Sequence, residues 1–227
     1  MTSFQNLTMR VLITAGPTYE PIDPVRFIGN HSTGKMGYAL AETFAARGAN
    51  VTLVSGPTQL HIHHPLIEVV AVQTADEMYA AAAKIAPQAD VWVFAAAVAD
   101  YKPRSMAPNK IKKDGDTLTL ELVKNIDIAA TLGKQKRPEQ FSVGFALETN
   151  DEEAHARAKL QRKNFDLIVL NSLRDAGAGF GHDTNKVTLL TAGGQMSIFE
   201  LKPKTEVAHD IVQTVLASLS ALSAPHA

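Results

Sequence analysis

The chain contains no cysteine. That excludes a disulfide framework, thiolate-ligated zinc and any thiol nucleophile, and it fits a reducing cytoplasm. An excess of either charge is missing too: 22 Lys and Arg stand against 23 Asp and Glu, for a formal net charge of −1. No broad field attracts nucleic acid or an anionic membrane, so any basic cluster is local and suits a small polyanion. No run of 18 apolar residues occurs, so no membrane-spanning segment is expected. Met1 to Leu7 lacks the basic start and apolar stretch of a secretory signal. Gly-x-Gly-x-x-Gly is absent, since the first strand ends in Gly16-Pro17-Thr18, and Ser55-Gly56 stands where a ribose-binding acid would follow the second. Both omissions disfavour a dinucleotide dehydrogenase. A Gly-x-Ser-x-Gly elbow is also missing, which disfavours a serine hydrolase.

What is present alternates between strand and helix. Arg10 to Ala15 is an apolar run stopped by Gly16-Pro17, and Val51 to Ser55 is stopped by Gly56-Pro57. Val69 to Val72 and Val91 to Ala95 read as further strands. Between them Met36, Leu40 and Phe44 share a helical face, and Thr74 with Glu77 spells a capping box for a helix to about Ala86. This pattern predicts an α/β fold: a Rossmann-like open, mostly parallel sheet with helices on both faces. Its ligands are expected beyond the carboxyl ends of the strands. The polar, basic segment from Tyr101 to Val123, in which Thr117 to Leu122 alternates like an exposed strand, is expected to form a flap or arm. Then come a short helix from about Asp127, a strand at Phe141 to Ala146, a helix over Glu152 to Asn164 and a strand at Leu167 to Leu170. Lys186 to Leu190 and Met196 to Leu201 predict a C-terminal antiparallel pair, and Val207 to Leu222 a closing helix. A single domain over 1–227 is expected, with disordered tails at 1–8 and 223–227.

The segment Phe27 to Gly37 nearly spells a phosphate-cradling P-loop. Gly29, Gly34 and Lys35 fit, but Met36 stands where a hydroxyl would hold magnesium. A P-loop phosphotransferase is set aside. Backbone N–H groups, Lys35 and the Asn30 carboxamide at a helix N-terminus still make an anion site. Three basic groupings lie along one predicted rim: Lys110 with Lys112 and Lys113, Lys124 beside Asn125, and Lys159 with Lys163 on one helical face. Each alone reads as a solvated patch; together they suit a triphosphate. Asp100 ends a run of small residues at a strand's carboxyl edge, where it either accepts from a ligand or caps the next turn. Phe145 is either core or a platform for a nucleobase. His61, His63 and His64 precede Pro65 with no carboxylate among them, and no metal site is assigned there.

Taken in order, Thr14-Ala-Gly-Pro-Thr18, Asp23-Pro-Val-Arg26, Asn30-His-Ser-Thr-Gly-Lys-Met-Gly37, Val54-Ser-Gly-Pro57, Ala95-Ala-Ala-Val-Ala-Asp-Tyr101, Lys110-Ile-Lys-Lys113 and Lys159 to Asn164 form a specific set. The set closely resembles phosphopantothenate–cysteine ligase, and the likeness runs from about Met9 to Leu219. It implies the bacterial, CTP-dependent branch, in which the carboxylate of 4′-phosphopantothenate attacks the α-phosphorus of CTP to give an acyl-cytidylate and pyrophosphate. The amine of L-cysteine then takes the acyl group and releases CMP. Carried over by position, the resemblance implies that Asn30 holds the acyl-cytidylate and that Lys110 stabilises charge during the chemistry. Arg26, Ala96, Ala97 and Asp100 join Asn30 in meeting the acid substrate, Arg26 from a neighbouring subunit. For CTP the matching positions are Asp100, Lys110, Ile126, Asp127, Ile128, Ala129, Phe145, Lys159 and Lys163. Ile126 stands where the family pattern shows proline. The resemblance further implies magnesium carried by CTP, without dedicated protein ligands, and a homodimer paired through the Asn30 segment and the flap. Many bacterial relatives fuse such a domain behind a flavin-dependent decarboxylase; nothing in this sequence resembles that half, and a free-standing ligase and an excised domain both remain open. The alternative function is a Rossmann-like nucleotide- or dinucleotide-binding module without ligase activity.

Overall fold

Alternation along the strands decides how the core is divided. Val11 and Ile13 point to one side of the sheet and Leu12 to the other; Val91 and Val93 are likewise opposed to Trp92 and Phe94. A sheet with two apolar faces must be covered twice. The computed structural model, which describes residues 9–113, 115–148, 151–172 and 182–222, shows that covering. In chain order the elements are β1 (Arg10–Ala15), β2 (Tyr19–Pro21), β3 (Phe27–Gly29), α1 (Lys35–Ala46), β4 (Asn50–Ser55), β5 (Ile67–Ala71) and α2 (Ala75–Ile85). There follow β6 (Val91–Phe94), β7 (Tyr101–Pro103), β8 (Leu122–Lys124), α3 (Ile128–Gly133), β9 (Phe141–Glu148) and α4 (Glu152–Arg162). The chain closes with β10 (Leu167–Ser172), β11 (Thr184–Asn185), β12 (Val187–Thr191), β13 (Met196–Ile198), β14 (Lys202–Pro203) and α5 (Lys204–Leu222). The tails expected to be disordered lie outside the described residues.

The central sheet has the order β13-β12-β10-β9-β6-β1-β4-β5. The six strands from β5 to β10 run parallel, and β12 and β13 extend the β10 edge as the predicted antiparallel pair. Numbered among themselves, the parallel strands read 3-2-1-4-5-6, the doubly wound order that reverses between β1 and β6. One face packs α1 and α5 through Leu40, Phe44, Ile211 and Val215. The other packs α2, α3 and α4 through Met78, Leu132 and Leu160, with Trp92 buried beneath and donating its indole N–H to the Ala86 carbonyl at 3.0 Å.

Local chemistry accounts for the helix starts. Thr74 Oγ1 accepts from the Glu77 N–H and Glu77 Oε2 accepts from the Thr74 N–H, the predicted capping box of α2. The buried Glu20 of β2 adds a carboxylate at the same helix end, accepting from the Ala75 N–H at 2.9 Å. The N-cap of α1 is Gly34 at φ +82°, with no side-chain cap and no acidic residue in its first turn.

Two expectations are revised. The arm is stemmed by β7 pairing with β8, so only Leu122 of the alternating stretch Thr117 to Leu122 enters a strand. The hairpin of β2 with β3 was not anticipated, because each strand is three residues long and β2 ends in Pro21.

Gly37 lets α1 lie against the end of β1: a Cβ there would sit 2.5 Å from the Ala15 Cβ. Neither atom can swing aside, so α1 would have to lift. Gly37→Ala is expected to cost about 1–3 kcal/mol in chemical denaturation, and an unchanged unfolding midpoint would refute the packing argument.

Candidate functional site

Where the strand order reverses, the connections leaving β1 and β6 diverge and open a crevice. The loop after β1 carries Thr18 and leads to Asn30 and then to α1. The stretch after β6 supplies Ala95 to Asp100. These two segments are laced together: the Ala97 N–H donates to the Gly16 carbonyl at 2.9 Å, and the Ala99 N–H donates to Thr18 Oγ1 at 3.0 Å. Asn30 completes the lacing. Its Nδ2 donates to the Ala97 carbonyl at 3.0 Å and to the Val98 carbonyl at 3.2 Å. Both amide hydrogens are thereby committed, and Oδ1 is oriented as the remaining acceptor.

The resulting cavity, of about 310 Å³, is bounded by Asn30, Ala96, Ala97 and Asp100 on one side and by Ile126, Asp127, Ile128 and Ala129 on another. Phe145 and the lysines Lys159 and Lys163 complete it. Eleven sequence-predicted site residues thus line one crevice. Phe145 packs, partly buried, against the core and also lines the cavity.

Asp127 is the N-cap of α3, its Oδ1 accepting from the Ala130 N–H at 3.0 Å and from Lys163 Nζ at 2.9 Å. Partial burial opposes ionisation of that carboxyl. The Lys163 ammonium and the Ala130 N–H outweigh it and hold the pKa below its ordinary value. Among the described residues, no three His, Cys, Asp or Glu side chains gather as a metal cage.

Two predicted residues stand elsewhere. Lys110 is exposed on the flap and lines no cavity described here. Arg26 is bound to the buried Asp23, with Nε and Nη2 donating to Asp23 Oδ2 at 3.0 and 2.5 Å. Asp23 Oδ2 also accepts from the Ile111 N–H at 3.1 Å, while Arg26 Nη2 donates to the Ile111 carbonyl at 3.1 Å. The pair therefore anchors the flap beside Lys110.

A second cavity, of about 240 Å³, shares Ala96, Ala97, Phe145 and Lys159 with the first. It continues over Ser32, Gly34 and Lys35 to Asn171, Asn185 and Lys204. Sequence reasoning missed Asn171 and Lys204. Asn125 and Asn171, one at each cavity, each leave a buried Oδ1 without a donor among the described residues. A signal for Lys204 did exist: it is a cation at the first position of a helix, where the dipole disfavours one.

Residues 7–219 match the family model described as the DNA/pantothenate metabolism flavoprotein C-terminal domain. The chain is 50% identical over 192 residues to the coenzyme A biosynthesis bifunctional protein CoaBC of Vibrio cholerae, covering 83% of this chain and 48% of that protein. It is 51% identical over 207 residues to a protein of an unknown prokaryotic organism named cysteine/cysteine sulfinic acid decarboxylase, covering 91% of this chain and 58% of that one. The chain thus spans about half the length of these curated relatives, so their names describe wholes of which it matches a part. The crystal structure of the C-terminal domain of CoaBC superposes with a TM-score of 0.80 at 40% identity, covering 94% of this chain and 96% of that one.

The Asp23 anchor is testable by pH. Hydrogen bonds from Arg26, and then from backbone N–H groups, hold its carboxyl well below the usual carboxylate range against the effect of burial. A depressed folded-state pKa means that the unfolded chain takes up the proton first. The contribution is then complete above about pH 4 and is lost as pH falls below it. Asp23→Asn should be less stable than the parent at pH 7, and the gap should narrow from pH 4 downward. A gap of constant size down to pH 2 would show that Asp23 carries no such charge-dependent contribution.

Proposed function

The chain belongs to the DNA/pantothenate metabolism flavoprotein C-terminal domain family, and from that membership we propose that it joins 4′-phosphopantothenate to L-cysteine through an acyl-cytidylate formed from CTP. The observation that carries this reading is the single crevice in which Asn30, Asp100, the start of α3, Phe145, Lys159 and Lys163 meet. The CoaBC relatives, named for coenzyme A biosynthesis, support it.

The chemistry asks for little covalent help from the protein. A carboxylate is a poor acyl donor because oxide is a poor leaving group, and coupling to CMP supplies a better one. Charge develops on oxygens in both steps, so fixed cations and amides suffice. In this reading CTP lies along the cavity, its base against Phe145, its phosphates facing Lys159 and Lys163, and Asp100 accepting from a hydroxyl or an amine. The acyl group reaches the edge formed by Ala96 and Ala97, where small side chains let a substrate approach the backbone. Asn30, pinned to two carbonyls, presents Oδ1 to the acyl-cytidylate. Magnesium would arrive on the triphosphate and neutralise part of its charge.

Arg26 and Lys110 line neither cavity of the single chain, and we assign them to a site completed in a homodimer. Val25, Phe27, Met106 and Leu118 expose apolar surface on the hairpin and the flap. The two pieces are joined through Arg26 and Ile111 and through the Ala107 N–H to the Ile22 carbonyl. Such a joined apolar surface suits an isologous contact, which would bring Arg26 and Lys110 toward the partner's crevice. No helix among the described residues is long and apolar enough to cross a membrane. The cytoplasm is the proposed setting.

With CTP, magnesium, 4′-phosphopantothenate and cysteine, the protein should release pyrophosphate; no release with either CTP or ATP would defeat the reading. NADPH binding without CTP turnover would point to a binding module instead. Asn30→Asp places a carboxylate oxygen against the Ala97 and Val98 carbonyls. It should let the acyl-cytidylate accumulate while amide formation falls, whereas normal turnover would remove Asn30 from the chemistry. Lys110→Gln should slow turnover by roughly 2–4 kcal/mol of barrier, and a near-normal rate would return Lys110 to solvent.

A further inference from the structure

The turn that ends α4 does more than stop a helix. Lys163 is its C-cap, and Asn164 follows in the left-handed region at φ +56°. The Asn164 N–H donates to the Gln161 carbonyl at 3.2 Å and the Phe165 N–H to the Leu160 carbonyl at 2.9 Å, the paired bonds of a Schellman cap. Glycine is the usual residue at the left-handed position, because it lacks a Cβ. Asparagine has a second use there. Its Nδ2 donates at 2.9 Å to the carbonyl of Gly133, the last residue of α3, where a helix leaves its carbonyls unpaired. The two helix ends also touch directly: a Cβ on Gly133 would lie 2.2 Å from the Lys163 carbonyl oxygen. Below the turn the Lys136 ammonium, on a side chain only 7% exposed, donates to the Asn164 carbonyl and to Asp166 Oδ2, each at 2.6 Å.

One residue therefore meets both ends of α3. The Lys163 carbonyl rests against Gly133 at one end, and Lys163 Nζ reaches the N-cap Asp127 at the other. The helix between them is six residues long, about 9 Å by helical rise, so a shift of the α4 end along it carries the ammonium away from Asp127. We infer that Asn164 is a positioning residue: by clasping the end of α4 to the end of α3, it sets where the Lys163 ammonium stands in the crevice. The inference rests on the ligase reading for what Lys163 does to the phosphates, and it adds a residue that lines neither cavity. A cation already held in place is not ordered at the expense of binding energy when the nucleotide arrives.

Asn164→Gly is the test, because it keeps the residue most at ease in this cap and removes only the clasp. The first readout is the Asp127 carboxyl followed by NMR in the ligand-free protein. Burial pushes this carboxyl up, and Lys163 with the Ala130 N–H holds it below its ordinary pKa. Loosening Lys163 takes away part of that hold, so the Asp127 pKa should rise in the variant. The second readout is CTP affinity by calorimetry in the parent, Asn164→Gly, Lys163→Met and the double variant. Asn164→Gly should weaken CTP binding about threefold or more, and in the Lys163→Met background it should cost nothing further. An unchanged Asp127 titration in Asn164→Gly would overturn the inference. Equal loss of CTP affinity in both backgrounds would also overturn it, since Asn164 would then act without Lys163. The NMR readout needs no nucleotide, so the two readings fail separately. A raised Asp127 pKa in a protein inert toward CTP would retain the clasp and defeat the ligase. Pyrophosphate release by an Asn164→Gly protein of parental CTP affinity and Asp127 titration would do the reverse.

Discussion

Everything in this molecule depends on the reversal of strand order between β1 and β6. Neighbouring parallel strands whose following segments leave in opposite directions cannot cover the space above their carboxyl ends. That space must be filled by loops or left open. Here Asn30 keeps it open and shaped, because its amide ties the loop after β3 to the stretch after β6. Small residues from Ala95 to Ala99 keep the floor accessible. The central strands β1 and β6 are buried on both faces, so the loops above them leave from fixed anchor points.

Charge follows from the same arrangement. The segment after β1 leads into α1, while α3 and α4 lie on the opposite face of the sheet. The crevice therefore collects helix ends along with Lys35, Lys159, Lys163 and Lys204. Carboxylates meet two of these cations: Asp127 faces Lys163, and the exposed Asp183 faces Lys35. A protein with a net charge of −1 thus concentrates lysines locally, an arrangement complementary to a compact polyanion. The flap is joined by a different device, the buried Asp23 with Arg26, so its position is coupled to the hairpin of β2 and β3.

The regular elements were legible because their signals are local. Apolar runs closed by Gly-Pro gave the strands, and Thr74 with Glu77 gave the start of α2 at the right residue. The stretch Thr117 to Glu121 misled, because alternation marks a strand only where a partner supplies hydrogen bonds, and β7 is three residues long. The β2–β3 hairpin was invisible for the opposite reason: it is held by the Asp23–Arg26 contact and by Tyr19 stacked on Phe27 at 3.8 Å, with no periodicity to announce it.

The sequence by itself determined the order of the main strands and helices, the parallel sheet and most of the residues at the crevice, since these follow from periodicity, turn chemistry and motif order. Tertiary structure decided which cations share a space. Lys35 and Lys204 are separated by most of the chain, and only the packing of α1 beside α5 on one face of the sheet brings their starts together. Lys110, inside a motif, stays outside the crevice of its own chain, while Lys204, outside every motif, enters it. Coulomb interactions act through space, and distance along a sequence carries no information about them until the fold has closed.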